Sequence, residues 1–240
     1  MVVSHFQPKS KKQYFLMMGI LGLVMVSMLY AMFFFRKEVK SLEAHDQVGV
    51  LYARKKVPEA IAAAKETLVA MGKVHGPESS RLLPTLDALI RMLLEQKQFT
   101  EAEPWCDRAL AIREKVYTDE PSRLLFTLNQ RAELCLSQGS HDEAEPFCRR
   151  AVEIGSRVMG KVPPDLATSL HLLGRILIAQ GKQGDAEAPL RRALSLRESA
   201  GHADVAAVVE SLAIVCRKMG NVEEAKRLEE RLVSLRSKRP

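Results

Sequence analysis

An acidic residue followed by alanine recurs at a nearly constant interval along the chain. The acidic residues of the five pairs are Glu59, Glu101, Glu143, Asp185 and Glu224, so the first three intervals are identical and the last is slightly shorter. Four places before each pair stands a lysine or a glycine, namely Lys55, Lys97, Gly139, Gly181 and Gly220. A fixed period of this length is typical of stacked supersecondary units, because one unit cannot bury its apolar face alone. This repeat constrains the fold more than composition does.

Each copy of the repeat divides into two helical stretches. In the third copy, apolar residues recur every three or four positions over 123–138, and Gly139 ends that stretch. A second amphipathic stretch begins at His141, where Asp142 is predicted to cap the helix and Pro146 to fall near its first turn. Helix-favouring residues dominate the whole chain. The sequence therefore predicts an all-α protein whose unit is helix, short turn, helix and longer loop.

The repeat resembles the tetratricopeptide repeat (TPR), in the 42-residue variety found in kinesin light chains. The resemblance rests on "EAEP…RAL" and on loops such as "VHGPESS", "YTDEPS" and "GKVPPD", and it covers about residues 41–236. It implies a right-handed α-solenoid of about five helix pairs within residues 41–240. Two copies depart from the pattern, because Lys55 and Lys97 replace the turn glycine. In the first copy, Thr67 also replaces the alanine found at the matching position of later copies.

An apolar run lies ahead of the repeats. Residues 14–35 read "YFLMMGILGLVMVSMLYAMFFF" and include no charged side chain. At about 1.5 Å per residue this run reaches roughly 33 Å as a helix, enough to cross the hydrocarbon core of a bilayer. A cleaved signal peptide is the weaker alternative, because the run is long, lacks a small-x-small cleavage site and stops against "RKEVK". The sequence predicts a basic tail over 1–13, a transmembrane helix over 14–35 and a basic juxtamembrane linker over 36–40.

Small residues within the apolar run could let another helix approach closely. Ser27 and Ala31 form a small-xxx-small pair, and Gly19 and Gly22 lie nearby. These four residues are the candidates for membrane-helix packing. The alternative is ordinary lipid-facing composition, in which such pairs arise by chance.

The orientation of the apolar run is balanced between two readings. Three Lys or Arg residues precede it and three follow it closely, so the positive-inside rule does not decide. The short tail favours an uncleaved signal anchor that keeps the tail in the cytoplasm and exports the repeats. The expected location is therefore a single-pass protein of a bacterial inner membrane with the repeats in the periplasm. Arg54, Lys55 and Lys56 favour the opposite orientation, so the cytoplasmic side stays open.

The positive charge of the chain belongs mostly to its N-terminal part. Of the formal net charge of +7, residues 1–40 carry +5 and all the others together only +2. A nucleic-acid-binding domain normally concentrates basic residues on one face of the fold itself. No nucleic-acid partner is therefore predicted.

The cysteines share slots with leucines, where a slot is a position common to the copies at the repeat spacing. Cys106 and Cys148 share a slot with Leu190. Cys135 and Cys216 share another slot with Leu93 and Leu177. Cysteine in a leucine slot favours packing over a disulfide or a metal site. Sparse unpaired cysteine is also typical of a reducing compartment, which argues against the periplasm.

The sequence contains no recognisable catalytic constellation. There is no HExxH, no GxGxxG and no Walker-type glycine loop, and the six histidines are scattered over tail, helices and loops. Trp105 and Phe147 share one slot, which is typical of packing between repeats. No catalytic residue, cofactor or metal is predicted, so the chain is not expected to be an enzyme.

The resemblance implies where a partner would bind. In TPR proteins the first helix of each pair lines a concave groove that holds peptide segments or protein helices. Transfer by register gives seven groove candidates, Asp87, Arg91, Asn129, Glu133, His171, Arg175 and Glu210. Asn129 matches the family's peptide-gripping asparagine, whereas the family's basic carboxylate clamp finds no match. The alternative is that these are solvated polar residues on helices.

Two functions fit these observations. The first is a membrane-anchored TPR scaffold or adaptor that binds a protein partner and serves the assembly or stabilisation of a membrane-associated complex. The alternative is a stoichiometric structural subunit of a membrane protein complex, held to the other subunits through its transmembrane helix. An adaptor should bind its partner through the repeats alone, whereas a subunit should need the apolar run.

Overall fold

In a computed structural model of the chain, residues 11–159, 162–200 and 205–237 are described. Every regular element within those ranges is helical. The α-helices are α1 (Lys11–Ala53), α2 (Val57–His75), α3 (Leu83–Glu95), α4 (Phe99–Val116), α5 (Leu125–Ser137), α6 (His141–Arg157), α7 (Pro164–Ala179), α8 (Gln183–Ser199), α9 (Val205–Lys218) and α10 (Val222–Ser237). Short 3₁₀ turns, Ser80–Leu82 and Pro121–Leu124, lead into α3 and α5. The expected all-α class is confirmed.

The chain divides into two compact units. Unit 1 is Met1–Pro77 and unit 2 is Glu78–Pro240. In unit 1, α1 packs against α2, and Val48 of α1 is buried. The linker expected over 36–40 is instead part of the continuous helix α1.

The predicted transmembrane helix over 14–35 is not supported. No helix within the described part of the chain is long and apolar enough to cross a membrane. The side chains at 14–17, 20 and 34 lie outside those that the structure describes, as does the tail over 1–10.

Unit 2 is built from the helix pairs α3/α4, α5/α6, α7/α8 and α9/α10. From α4 onward, each helix packs against the one before it, and the first helices of the pairs also contact one another in the order α3, α5, α7, α9. A single apolar core runs through the last three pairs, from Leu124 to Leu232. The repeat thus supplies each pair with an apolar face that only its neighbours can cover.

The turn inside each repeat has the same backbone geometry, including the two copies that carry lysine. The slot predicted to hold the turn residue has a positive φ throughout: 59° at Lys55, 57° at Lys97, 79° at Gly139, 77° at Gly181 and 82° at Gly220. At each turn, the next residue donates its backbone N–H to the carbonyl five places earlier, as Gln98 does to Leu93 at 2.9 Å. This is the Schellman arrangement that closes a helix C-terminus. The equivalence of lysine and glycine in this slot is therefore structural.

Two expectations about the start of α6 are wrong. The helix begins one residue after Ser140, and no side chain caps it there. Asp142 lies inside the first turn and not at the N-cap, and its Oδ1 accepts a hydrogen bond from Gln180 Nε2 at 2.9 Å. Pro146 lies inside the helix, beyond the first turn in which a missing N–H has no cost.

Candidate protein-binding groove

The first helices of the four pairs in unit 2 form the face on which a partner is expected to bind. The candidate residues fall into two slots on these helices, one helical turn apart. The first slot holds Asp87, Asn129, His171 and Glu210. The second slot holds Arg91, Glu133, Arg175 and, not anticipated from the sequence, Ile214.

Asp87 in the first slot is engaged inside its own repeat. Arg113 on α4 grips its carboxylate with two parallel contacts, Nη2 to Oδ2 at 2.6 Å and Nη1 to Oδ1 at 3.0 Å. Arg113 is buried and also donates to the Thr127 hydroxyl. Burial raises the pKa of the Asp87 carboxyl, and the Arg113 guanidinium opposes that shift. Asp87 therefore holds α3 to α4.

The same pairing recurs at the end of the array. Glu210 and Arg236 have the same sequence separation as Asp87 and Arg113. Arg236 Nη2 lies 3.1 Å from Glu210 Oε2. In the third repeat, the matching arginine slot holds Gly155. A methyl group there would meet Leu125 Cδ2 at 2.9 Å, so a larger side chain would require Leu125 and Leu166 to shift.

Asn129, the match to the family's peptide-gripping asparagine, is buried and links two repeats. Its Nδ2 donates to the Asp165 carbonyl at 3.0 Å, and its Oδ1 accepts from the Ser169 hydroxyl at 2.7 Å. Both partners lie on α7. With no arginine at position 155, the amide reaches forward to the next pair instead of back to its own second helix. This side chain is committed to the array.

The second slot is open to solvent at every copy. Arg91, Glu133, Arg175 and Ile214 are all exposed. Arg175 Nη1 lies 3.7 Å from Glu133 Oε1, a loose pair between half-exposed side chains. Such a pair contributes little to stability, on the order of 0–1 kcal/mol, and can be exchanged at little cost. The second slot is thus the one that a partner can reach.

A cavity of about 430 Å³ lies between α7 and α9 on the same face. It is lined by Leu136, His171, Arg175, Ile178, Ala207, Glu210, Ser211 and Ile214. The His171 ring and the Ser211 hydroxyl, both buried, share a hydrogen bond of 3.1 Å between Nε2 and Oγ. Charged side chains and exposed apolar side chains therefore line one recess, an arrangement common in peptide-binding surfaces.

Sequence reasoning missed the apolar lining of this cavity. Leu136 and Ile178 share one slot at the regular repeat spacing, and Ile214 shares a slot with Arg175 across the shorter last interval. The available signal was an apolar residue in a slot that is charged in the other three copies of unit 2. That signal picks out Ile214, which is 44% exposed.

Arg131 is a second residue that the repeat pattern could have identified. It occupies a slot that holds leucine in the other copies of unit 2, Leu89, Leu173 and Leu212. Its buried guanidinium lies 2.7 Å from Glu103 and 2.9 Å from Asp107, both on α4. The group also lies over the Phe147 ring on α6, 5.5 Å from its centroid. These contacts bind three helices together and provide no ligand site.

The cysteines are packed as their leucine slots predict. All four are free and buried. Burial raises the pKa of the Cys106 and Cys148 thiols to about 12, so they stay protonated at neutral pH. No cluster of three or more possible metal ligands occurs among the described residues.

The candidates for membrane-helix packing lie on α1. A Cβ on Gly19 or Gly22 would meet no atom within 4 Å, and Ser27 donates to the Val24 carbonyl at 2.8 Å. Ala31 is exposed. Their role in packing stays a prediction.

Comparison with known proteins agrees with the repeat. Residues 85–120 and 123–199 match two family models described as tetratricopeptide repeat. The predicted TPR repeats are thereby confirmed within unit 2. No curated protein sequence matches the chain.

Solved structures share the fold. A protein from Podosopora anserina, described as a kinesin light chain with nearly identical TPR-like repeats, is 21% identical, with a TM-score of 0.67 over 82% of this chain and 94% of that one. The apo form of RapI is 17% identical, with a TM-score of 0.73 over 83% and 71% of the two chains. A Rap protein complexed with competence and sporulation factor is 17% identical, with a TM-score of 0.65 over 81% and 53%. At these identities the likeness shows a TPR-like solenoid.

Proposed function

We propose that the protein is a non-catalytic interaction module that binds a protein partner along the first helices of unit 2. The cavity between α7 and α9 is the observation that carries this proposal. Its volume of about 430 Å³ accommodates at least one large apolar side chain, and its rim bears Arg175 and Glu210. The second slot continues the surface through Glu133 and Arg91.

The contacts and exposure of the residues in the two slots distinguish those with a structural role from those that can face a partner. Asp87 and Asn129 are held by contacts within the array, so they shape the groove from beneath. Arg175 and Ile214 are exposed at the cavity and can contact a partner without losing a buried bond. A Rap protein that shares this fold over 53% of its length is complexed with competence and sporulation factor, which supports the proposal by analogy.

Recovery of partners by affinity purification tests the groove. The full chain is isolated in mild detergent from cells that make it naturally, beside the variants Ile214→Asp and Val233→Asp. Both side chains are exposed and aliphatic, but Val233 lies on α10 and does not line the cavity. Binding in the cavity predicts that Ile214→Asp reduces partner recovery by about tenfold or more, which corresponds to about 1.4 kcal/mol. Equal recovery with both variants would refute groove binding.

We further propose that the apolar segment 14–35 attaches the protein to a membrane. The support is the absence of charge along the whole segment and the exposure of its described large side chains, such as Leu23 at 72% and Leu29 at 61%. Exposed apolar surface of this extent is otherwise a liability in water. The proposed location is a bacterial inner membrane. An alkaline phosphatase fused to the C-terminus would be active if unit 2 lies in the periplasm and inactive if unit 2 lies in the cytoplasm.

Resistance to alkaline carbonate tests attachment. The wild-type chain should stay in the membrane pellet, whereas the double variant Leu23→Lys, Leu29→Lys should be released, because each lysine in a spanning helix costs about 2.5–3.5 kcal/mol. Leu42→Lys, on the same helix but beyond the apolar segment, is the matched control and should remain in the pellet. Release of the wild-type chain would rule attachment out.

The same double variant separates an adaptor from a structural subunit. Tethering raises the local concentration of unit 2, but a groove-binding adaptor still recognises its partner when solubilised. If the Leu23→Lys, Leu29→Lys chain recovers the same partner in detergent, the adaptor reading holds. If its partners are lost while Ile214→Asp keeps them, the chain is a subunit held through α1.

A further inference from the structure

The second helices of consecutive pairs in unit 2 are joined by a ladder of arginines. One slot holds the arginines Arg150, Arg192 and Arg231, and another holds their partners in the preceding pair, Glu114, Ser156 and Glu198. Arg150 Nη1 lies 2.5 Å from Glu114 Oε1. Arg231 pairs with Glu198 in the same way. Two of the three rungs are therefore ion pairs.

The middle rung has a hydroxyl where the others have a carboxylate. Arg192 Nη1 donates to Ser156 Oγ at 3.0 Å. Among the described residues, Arg192 forms no ion pair, and both side chains of this rung are exposed. The guanidinium at this rung is thus placed to bind an anion on Ser156 but meets a neutral atom. A phosphate on Ser156 Oγ would supply the missing charge with oxygens suited to the arginine fork.

The backbone around Ser156 suits enzymatic modification. Ser156 is the second-last residue of α6, which ends at Arg157, and Val158 is already extended at φ −68° and ψ 122°. Met159 follows with 94% exposure. The last turn of a helix frays readily, so this serine can enter a kinase active site with little loss of structure.

We propose that Ser156 is a phosphorylation site at which an ATP-dependent serine kinase completes the ladder between α6 and α8. In the transfer, the Ser156 Oγ–P bond forms and the bond between the γ-phosphorus and its bridging oxygen breaks. ADP leaves, and the hydroxyl proton passes to the base of the kinase. The phosphate then pairs with Arg192. This pairing opposes the unfavourable effect of a negative charge at the C-terminus of α6. The site is independent of the groove, and its modification requires that unit 2 lie on the cytoplasmic side of the membrane, where ATP is available.

Mass spectrometry of the full chain from its natural cells tests occupancy. Phosphate is expected on Ser156 and not on Ser199, an exposed serine at the end of α8 whose hydroxyl donates to the Leu196 carbonyl at 2.9 Å. Ser156 found unmodified in growth and in stress conditions would overturn the proposal.

Thermal unfolding tests whether a phosphate on Ser156 forms a stabilising ion pair with Arg192. Phosphoserine placed at position 156 by codon expansion should raise the melting temperature by about 1–4 °C, the shift expected from one added ion pair in a chain of this length. In an Arg192→Gln background the same phosphoserine should give no rise. A fall of equal size in both backgrounds would show that repulsion at the helix end dominates, and the proposed rung would be excluded.

Discussion

Arg113 and Asp87 face each other across the second repeat with two matched contacts, one of 2.6 Å and one of 3.0 Å. The arginine is buried, so the loss of its partner would leave a desolvated charge without compensation. Glu210 and Arg236 repeat the pairing with both side chains more than half exposed. The same acid–arginine pairing thus occurs once with a buried arginine and once with both side chains exposed. We expect its contribution to stability to depend on this difference in exposure.

The first prediction compares these two pairs. Asp87→Ala should lower the free energy of unfolding by about 3 kcal/mol, because it strands a buried guanidinium. Glu210→Ala should lower it by less than about 1 kcal/mol, as is usual for an exposed pair. Urea denaturation followed by circular dichroism measures both. Similar losses for the two variants would contradict the role assigned to burial.

The second prediction concerns the turn lysines. Lys97 is held at φ 57°, where a side chain is strained and glycine is not. Lys97→Gly should therefore stabilise unit 2 by about 1 kcal/mol. Gln96→Gly, one residue earlier at φ −83°, should instead destabilise it by about 0.5–1 kcal/mol. The two changes should shift the urea midpoint in opposite directions. A lower midpoint in both variants would contradict the proposed strain at Lys97.

The third prediction uses two helical glycines with different surroundings. A Cβ on Gly174 would lie 2.5 Å from Leu190 Cγ, whereas one on Gly184 would meet nothing within 4 Å. Gly174→Ala should destabilise the protein by about 1–3 kcal/mol through overpacking. Gly184→Ala should be neutral or stabilising, because alanine favours the helix. Thermal melts of the pair give the comparison, and a stable Gly174→Ala variant would mean that Leu190 can move aside.

The fourth prediction is a pH dependence. Hydrogen bonds from Gln180 and Arg149 lower the pKa of Glu145 from its ordinary value of 4.5 to about 2. A carboxyl with a lowered folded pKa contributes stability above its unfolded pKa, and the contribution is lost as the pH falls. The free energy of unfolding should therefore drop between about pH 4.5 and pH 2.

Glu145→Gln should flatten this acid limb, since the variant carries no carboxyl to protonate. Glu153→Gln is the matched control on the same helix, because the pair that Glu153 forms with Arg157 is exposed. Urea titrations at several pH values measure the slope. An unchanged slope in Glu145→Gln would assign the acid sensitivity to other carboxyls.

Much of the fold could be predicted because the copies of the repeat can be compared with one another, position by position. The slot holding Gly139 and Lys97 marked the turn, and the slot shared by Cys135 and Leu177 marked a buried position. The start of α6 was harder to predict. Asp142 has the chemistry of a cap, but Gln180 from the next repeat lies within hydrogen-bond distance and engages it. The sequence of one repeat does not show its contacts with the next repeat. From the sequence, only the local capping preference of Asp142 could therefore be considered.

The contacts of the groove candidates could be predicted less well, for a related reason. Register placed the candidates on the first helices of the pairs, but it does not tell whether a polar side chain has a partner inside the array. The sequence separation that Asp87 and Arg113 share with Glu210 and Arg236 was the signal for such partners. Asn129 escapes that signal, because the matching slot holds Gly155 and the amide bonds instead to residues of α7.

Because α1 is one continuous helix, it fixes both the distance between its two ends and their relative rotation about the helix axis. From residue 36 to Ala53 the helix advances about 27 Å at about 1.5 Å per residue. Each residue also turns the chain by about 100° around the axis. Insertion of a single alanine in this stretch would therefore swing the apolar segment about a third of a revolution relative to α2. An insertion in a flexible tether would have no such effect. In this helix, the number of residues sets the direction in which the apolar segment faces around the helix axis.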